Sequence, residues 1–369
     1  MPDRQARVIR VGGSHYTMGY QHGEQVRDLR PAILEAIARR EAQLAQDGAD
    51  DAFHALVAET REVLAVADPA IVDFVRGIAA GLEISFTRLF DYNLVAFLRD
   101  ALTTRAGAPP PDPADGCSAW AATGAATRDG KSILAKTRDY RREHLALQMV
   151  VRAEPQSGHR YTYITSAGSP GVFVAGFNEA GLAITDTHVS SRDVGPGLPA
   201  YALAMHVLEG QDNVRSALAF LRSQPLMGRN NFLLADSSGD LAVFEMGHRQ
   251  HAILEAQRDV LINTNHFNSP VMQPAYVDTD PPPLRGNSPA RYRKLQEELA
   301  RESGEITVSW AKEVLACHDG PLASICRHPT PASDSSTIAG IIFHPARREL
   351  HFCHGHPCQG KYETFAYEA

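Results

Sequence analysis

The sequence has 369 residues, 44% of them hydrophobic and 21% charged, with a formal net charge of −7. That composition describes a globular chain with ample core and excludes a disordered or low-complexity polymer. Charges of both signs are mixed, no basic tract stands out and no apolar run is long enough for a bilayer span, so neither nucleic acid nor membrane is an expected partner.

Residues Met1-Pro2-Asp3-Arg4-Gln5 lead into a short apolar run broken by Arg10, which is not a signal peptide, and the cytoplasm is the expected location. Helical periodicity follows. Val26, Leu29, Ile33, Ile37 and Leu44 recur at three- and four-residue steps with charges between them. Asp68-Pro69 reads as a cap with proline at the first helical position, after which Val72, Val75, Ile78, Ala79 and Leu82 trace one apolar face. A further helix is expected over Thr87–Leu98. Residues 103–116 hold four prolines and two glycines and read as an extended linker.

Beyond Gly116 the pattern turns to strands. Cys117–Thr127, the Arg128-Asp129-Gly130 turn and Ser132–Thr137 form an expected hairpin, since Asp-Gly supplies the positive φ such turns need. Strands are also expected at Met149–Ala153, Tyr161–Thr165, Val172–Phe177, Leu182–Thr187, Phe232–Ala235, Leu241–Glu245, Ala252–Glu255, Val260–Thr264, Thr337–Phe343 and Leu350–Cys353. Helices are expected at Ala200–Ser223, Ser288–Glu302 and Val308–Cys317. Hairpins alternating with a few long helices argue for an α+β chain with two stacked antiparallel sheets between helical layers.

The five cysteines (Cys117, Cys317, Cys326, Cys353 and Cys358) are an odd number, which argues against a disulfide framework. Cys117 is placed as a self-cleaving junction requires. Its thiol can attack the carbonyl of Gly116, which no Cβ shields, and the linker lets the new ends separate. The freed α-amine, with an ordinary pKa of roughly 7.7–8.0, can then act as general base for the thiol of the same residue.

The segments Gly116-Cys117-Ser118-Ala119-Trp120, Asp129-Gly130-Lys131-Ser132-Ile133-Leu134 and Asp139-Tyr140 resemble the acyl-coenzyme A:6-aminopenicillanate acyltransferase family, related to the choloylglycine hydrolases within the N-terminal-nucleophile superfamily. The resemblance continues through Gly176–Ala183, Asn231–Asp236, Glu245, Asn265-His266-Phe267, Arg291-Tyr292, His318-Asp319-Gly320, Ser324–His328 and Gly355–Cys358. It implies a four-layer αββα sandwich and cleavage at Gly116–Cys117. The products would be a helical segment 1–116 and a catalytic chain 117–369, which stay bound to each other.

By the same resemblance Asp139 would hold the α-amine, Asn231 or its neighbour Asn230 would donate to the oxyanion, and Arg291 would lie near the site. Lys136 and Arg138 stand where relatives carry other residues, and with Thr187 and His188 are candidates for contacting substrate. The expected substrate is a small amide or acyl compound, with no cofactor. Cys353 and Cys358 tempt a zinc reading, but their spacing is unlike the tight pairs of structural zinc sites, so no metal is expected. His318, Cys326 and His328 are assigned a structural role. The rival readings are a Cys–His thiol hydrolase without self-cleavage, using His188 or His318, and a non-catalytic scaffold that binds a small amide.

Overall fold

A computed structural model describes residues 5–103, 116–330 and 335–367, so most of the expected linker lies outside the described residues. The chain begins with strand β1 (Arg7–Gly13) and helices α1 (His15–Gln25), α2 (Arg30–Gln46), α3 (Asp51–Ala67), α4 (Pro69–Leu82), α5 (Phe86–Leu98) and α6 (Asp100–Thr103). The Asp68 carboxylate accepts from Ile71 N–H at 3.1 Å and Pro69 starts α4, as the cap reading expects. β1, α1 and α3 were not anticipated.

After Gly116 come β2 (Gly116–Ala122), β3 (Ile133–Tyr140), α7 (His144–Leu147), β4 (Gln148–Pro155), β5 (Tyr161–Ser166), β6 (Ala175–Asn178) and β7 (Leu182–His188). The single helix expected over Ala200–Ser223 is two, α8 (Ala200–Gly210) and α9 (Val214–Ser223). The Asn213 side chain accepts from Ser216 N–H and starts a new helix. There follow β8 (Asn230–Asp236), β9 (Leu241–Met246), β10 (His251–Glu255), β11 (Val260–Asn263), α10 (Asn287–Arg301), α11 (Val308–Leu315), α12 (Gly320–Ala323), β12 (Ser336–His344), β13 (Glu349–His354) and β14 (Tyr362–Ala366).

The strands form two sheets. The eight-stranded sheet runs β1-β4-β5-β6-β7-β8-β9-β10, and the six-stranded sheet runs β11-β2-β3-β12-β13-β14. Strand alternation sorts the side chains into layers. Ala119, Ala121, Ile341 and Phe343 of the smaller sheet meet Val150, Ile164, Leu233 and Val243 of the larger between the sheets. Trp120, Ala122 and Ile342 point the other way, onto Leu295 and Leu299 of α10 and Trp310 and Val314 of α11. The outer face of the larger sheet packs its Tyr163, Ile184, Phe232 and Phe244 against the N-terminal helices, α8 and α9. The layers are thus helix, sheet, sheet, helix, the four-layer α+β arrangement that the resemblance implies. β1 pairs in parallel with β4, so the N-terminal segment contributes a strand as well as its helices. No helix among the described residues is long and apolar enough to cross a membrane.

Candidate active site

Cys117 is the second residue of β2, paired with Arg138 on β3, while Gly116 faces Asp139. The thiol is 8% exposed and lines a cavity shared with Phe97, Phe173, Val174, Lys136 and Asp139. Burial pushes the thiol up to about 11, while the nearby Lys136 ammonium favours the thiolate and Asp186 and Asp139 oppose it.

The backbone N–H of Cys117 donates to Asn265 Oδ1 at 2.8 Å. Arg291 Nη2 donates to the same oxygen at 2.7 Å, and Asn265 Nδ2 donates to His188 O at 2.8 Å. Arg291 also reaches the Cys117 carbonyl and, at 2.9 Å, Ser118 Oγ, while its Nε is held by Asn287 Oδ1 at 2.9 Å. The guanidinium is 1% exposed, and burial beside Arg327 lowers its pKa. It locks the start of β2 to the turn after β11.

Asp139 is fully buried at the end of β3. Its Oδ1 accepts from Thr337 Oγ1 at 2.6 Å, and Arg327 Nη1 lies 3.5 Å from Oδ2. Oδ2 has no hydrogen bond among the described residues. Burial raises the pKa of this carboxyl, with Arg327 and Arg291 pulling the other way. A Cβ on Gly116 would sit 2.9 Å from Asp139 Oδ2 and 2.6 Å from Arg327 Nη1, so the junction passes directly over this pair.

The other expected site residues divide. Lys136 is 1% exposed and donates to Asp186 Oδ1 at 2.6 Å, to Asp186 O and to Val174 O. Arg138 lines the cavity, with its guanidinium on Gln148 Oε1 and Ser166 Oγ. His188 lines the cavity too, with Nε2 beside Arg229 and 3.8 Å from Asp100 Oδ2. Asn230 and Asn231 are adjacent on β8 and point to opposite faces. Asn230 lines the cavity and donates to Asp186 Oδ2 at 2.8 Å. Asn231 donates to Asn263 Oδ1 at 2.9 Å and His266 O at 3.1 Å, and Thr187 Oγ1 donates to Thr264 O at 2.9 Å. Asn231 and Thr187 therefore brace the turn that presents Asn265. The sequence reading gave no role to Asn265 or Arg327, although both lie in motifs that carry the resemblance.

A second, polar cavity adjoins the first through Ala96, His188 and Arg229 and is lined by Asn265, Arg291, Arg40, Arg99 and Asp280, among others. Cys117 lines the first cavity, and the polar cavity opens beside it through the shared residues.

The chain is an enzyme of the kind that acts on acyl-amide bonds. A sequence profile of the acyl-coenzyme A:6-aminopenicillanic acid acyl-transferase family matches residues 126–359, a span that begins after Cys117, and the chain belongs to that family. No curated protein matches the sequence. Similar solved structures include the N-acylethanolamine-hydrolyzing acid amidase ortholog of Caenorhabditis elegans, at 15% identity and TM-score 0.45, covering 62% of this chain and 93% of that one. A mutant conjugated bile acid hydrolase from Clostridium perfringens has 12% identity and TM-score 0.43, covering 68% of this chain and 97% of its own. Penicillin V acylase from Agrobacterium tumefaciens has 18% identity and TM-score 0.45, with 64% and 83% covered.

Proposed function

We propose that the chain cleaves itself between Gly116 and Cys117, and that the freed Cys117 hydrolyses a small amide through a thioester. The observation that carries this reading is the Cys117 N–H···Asn265 Oδ1 bond, with the unbonded Asp139 Oδ2 lying against Gly116. The backbone nitrogen at the junction already has an acceptor, and Asp139 Oδ2, ion-paired only loosely with Arg327 at 3.5 Å, can accept from the extra protons that an α-amine carries.

In the first reaction the thiol adds to the Gly116 carbonyl, its proton passes to the departing Cys117 nitrogen, and water hydrolyses the resulting thioester. In the second, the α-amine takes the thiol proton and the thiolate adds to the substrate carbonyl. The ammonium returns the proton to the leaving amine, and water resolves the thioester. Asn230 is the side-chain amide on the cavity wall and is our choice for the oxyanion donor. Phe97, Phe173 and Val174 favour an apolar acyl group, and the polar chamber favours a polar amine half. The helical segment 1–116 would stay bound after cleavage, because β1 is paired within the larger sheet.

Intact mass and N-terminal sequencing test the reading. Two fragments are expected, the larger starting at Cys117, with release of amine from small N-acyl substrates and a single uncut chain for Cys117→Ala. A Cys117→Ala chain that still splits sinks the proposal. Uncut wild type that hydrolyses amides favours the Cys–His reading, for which His188 is the histidine on the cavity wall.

A further inference from the structure

Four potential metal ligands that are scattered in the sequence meet around the segment that carries Arg327. His318 follows α11, Cys326 and His328 flank Arg327 after α12, and Cys358 lies in the loop between β13 and β14. One ligand atom from each can be chosen so that all four lie within 4.8 Å of one another. The His328 Nε2 to Cys358 Sγ separation is 3.4 Å. Tetrahedral zinc, with Zn–S near 2.3 Å and Zn–N near 2.0–2.1 Å, has ligand–ligand edges of about 3.3–3.8 Å. One edge already matches, and the others lie within about 1.5 Å of that range.

The backbone holds the set in place. Cys326 N donates to Cys317 O at 2.9 Å, which brings Cys326 beside His318. Gln359 N and Gly360 N close on His356 O at 3.0 and 2.9 Å, forming the turn that presents Cys358. The Cys358 backbone N–H faces Cys326 Sγ, and the rings of His318 and His328 are 4.9 Å apart. Cys353 is not part of the set, since its Sγ lies 3.9 Å from His356 O, in the space that a Cβ on Gly360 would need.

We propose that His318, Cys326, His328 and Cys358 bind one zinc ion. Binding displaces two thiol protons, so that Zn²⁺ plus two thiols and two neutral imidazoles gives a neutral Cys₂His₂ centre and two protons. Two thiolates with two imidazoles favour zinc over the hard cations that prefer oxygen. Four protein ligands leave no open position, which makes the centre structural. It ties the segment around Arg327 to the β13–β14 loop. Because Arg327 sits between two ligands, the metal also fixes the arginine that stands 3.5 Å from Asp139.

The test is elemental analysis of the full chain purified without chelator. About one zinc per chain is expected. Cys326→Ser and Cys358→Ser should each fall to less than about a tenth of that, while Cys317→Ser and Cys353→Ser retain it. Should the ligand variants fail to fold, the wild type alone decides the matter. Metal-stripped wild type titrated with cobalt(II) should show the thiolate-to-cobalt charge-transfer band of a two-sulfur tetrahedral site, and zinc should abolish that band. Wild type that carries no zinc and takes up neither ion overturns the proposal. A Cys326–Cys358 disulfide whose reduced form ignores both metals also overturns it.

Discussion

The backbone nitrogen of Cys117 and the side-chain oxygen of Asn265 are joined at 2.8 Å across 148 residues of sequence. The same oxygen takes a bond from Arg291, so one atom orients both the Cys117 nitrogen and the arginine that holds the Cys117 carbonyl. Asn265→Leu deletes the acceptor at nearly constant size. Misplacing a reacting group by about 1 Å costs on the order of a hundredfold. A loss of that order is expected in kcat/KM for released amine, with an unchanged circular dichroism spectrum. Asn265→Asp keeps the acceptor, loses the donation to His188 O and adds a negative charge that Arg291 faces, so its loss should be smaller, about tenfold. Equal losses in the two variants would assign the effect to the His188 contact instead.

Gly116→Ala places a methyl where Arg327 Nη1 and Asp139 Oδ2 already stand. Either the pair separates or β2 shifts away from β3 at its first residue. Self-cleavage should slow by at least about tenfold, because the attacked carbonyl moves relative to the thiol. The rate is read from the decay of the full-length band after synthesis. Cleavage at the wild-type rate would mean that the Gly116 backbone is not held where the structure has it.

The fold was largely legible in the sequence because its signals are local. The Asp129-Gly130 turn and the Asp68-Pro69 cap each act within four residues. Two edge strands, β1 and β14, were less visible. β1 and β14 are pinned to one neighbour each, and their burial patterns alternate weakly. Chemistry and position coincide in the sequence at Gly116 and Cys117, which makes them the candidate site, and the structure places Cys117 on a cavity wall. Asn265 was not legible, because its contact exists only once β11 pairs with β2 in the register Asn263 to Ala119. Asn230 and Asn231 could not be told apart without that frame, since a one-residue step along a strand changes the face. The four ligands proposed for zinc share no compact spacing. They meet only when α11 and the β13–β14 loop pack onto the same end of the smaller sheet.

In the proposed self-cleavage the Cys117 thiol, pushed up to about 11 by burial, would set the pH dependence. Below that value the thiolate fraction grows about tenfold per pH unit, so a precursor jumped from mild acid should cleave faster in that proportion as pH rises from neutrality. Lys136 favours the thiolate, so Lys136→Met should slow cleavage across that range without changing the slope. Precursor from cell-free synthesis allows the measurement. A plateau near pH 8 in wild type would show that another group removes the thiol proton.

His22 on α1 is fully buried, edge-on to Phe74, with Nε2 accepting from Gly168 N–H at 3.2 Å and Nδ1 without a partner among the described residues. Burial lowers its pKa from 6.5 to about 3. The unfolded chain therefore binds a proton below pH 6.5 that the folded chain refuses. The stability linked to this group is complete above pH 6.5 and is lost as pH falls toward about 3. At pH 5 the loss amounts to about 2 kcal/mol, from 1.36 kcal/mol per unit. His22→Gln keeps an acceptor for Gly168 and removes the titration. Between pH 7 and pH 5 the wild type should lose about 2 kcal/mol more than the variant in urea unfolding, even though the variant is the less stable of the two at pH 7. His144, also buried with a lowered pKa, titrates alike in both proteins and cancels from the difference. Equal pH slopes for the two proteins would show that water or a local opening reaches His22 and lets it take up its proton while folded.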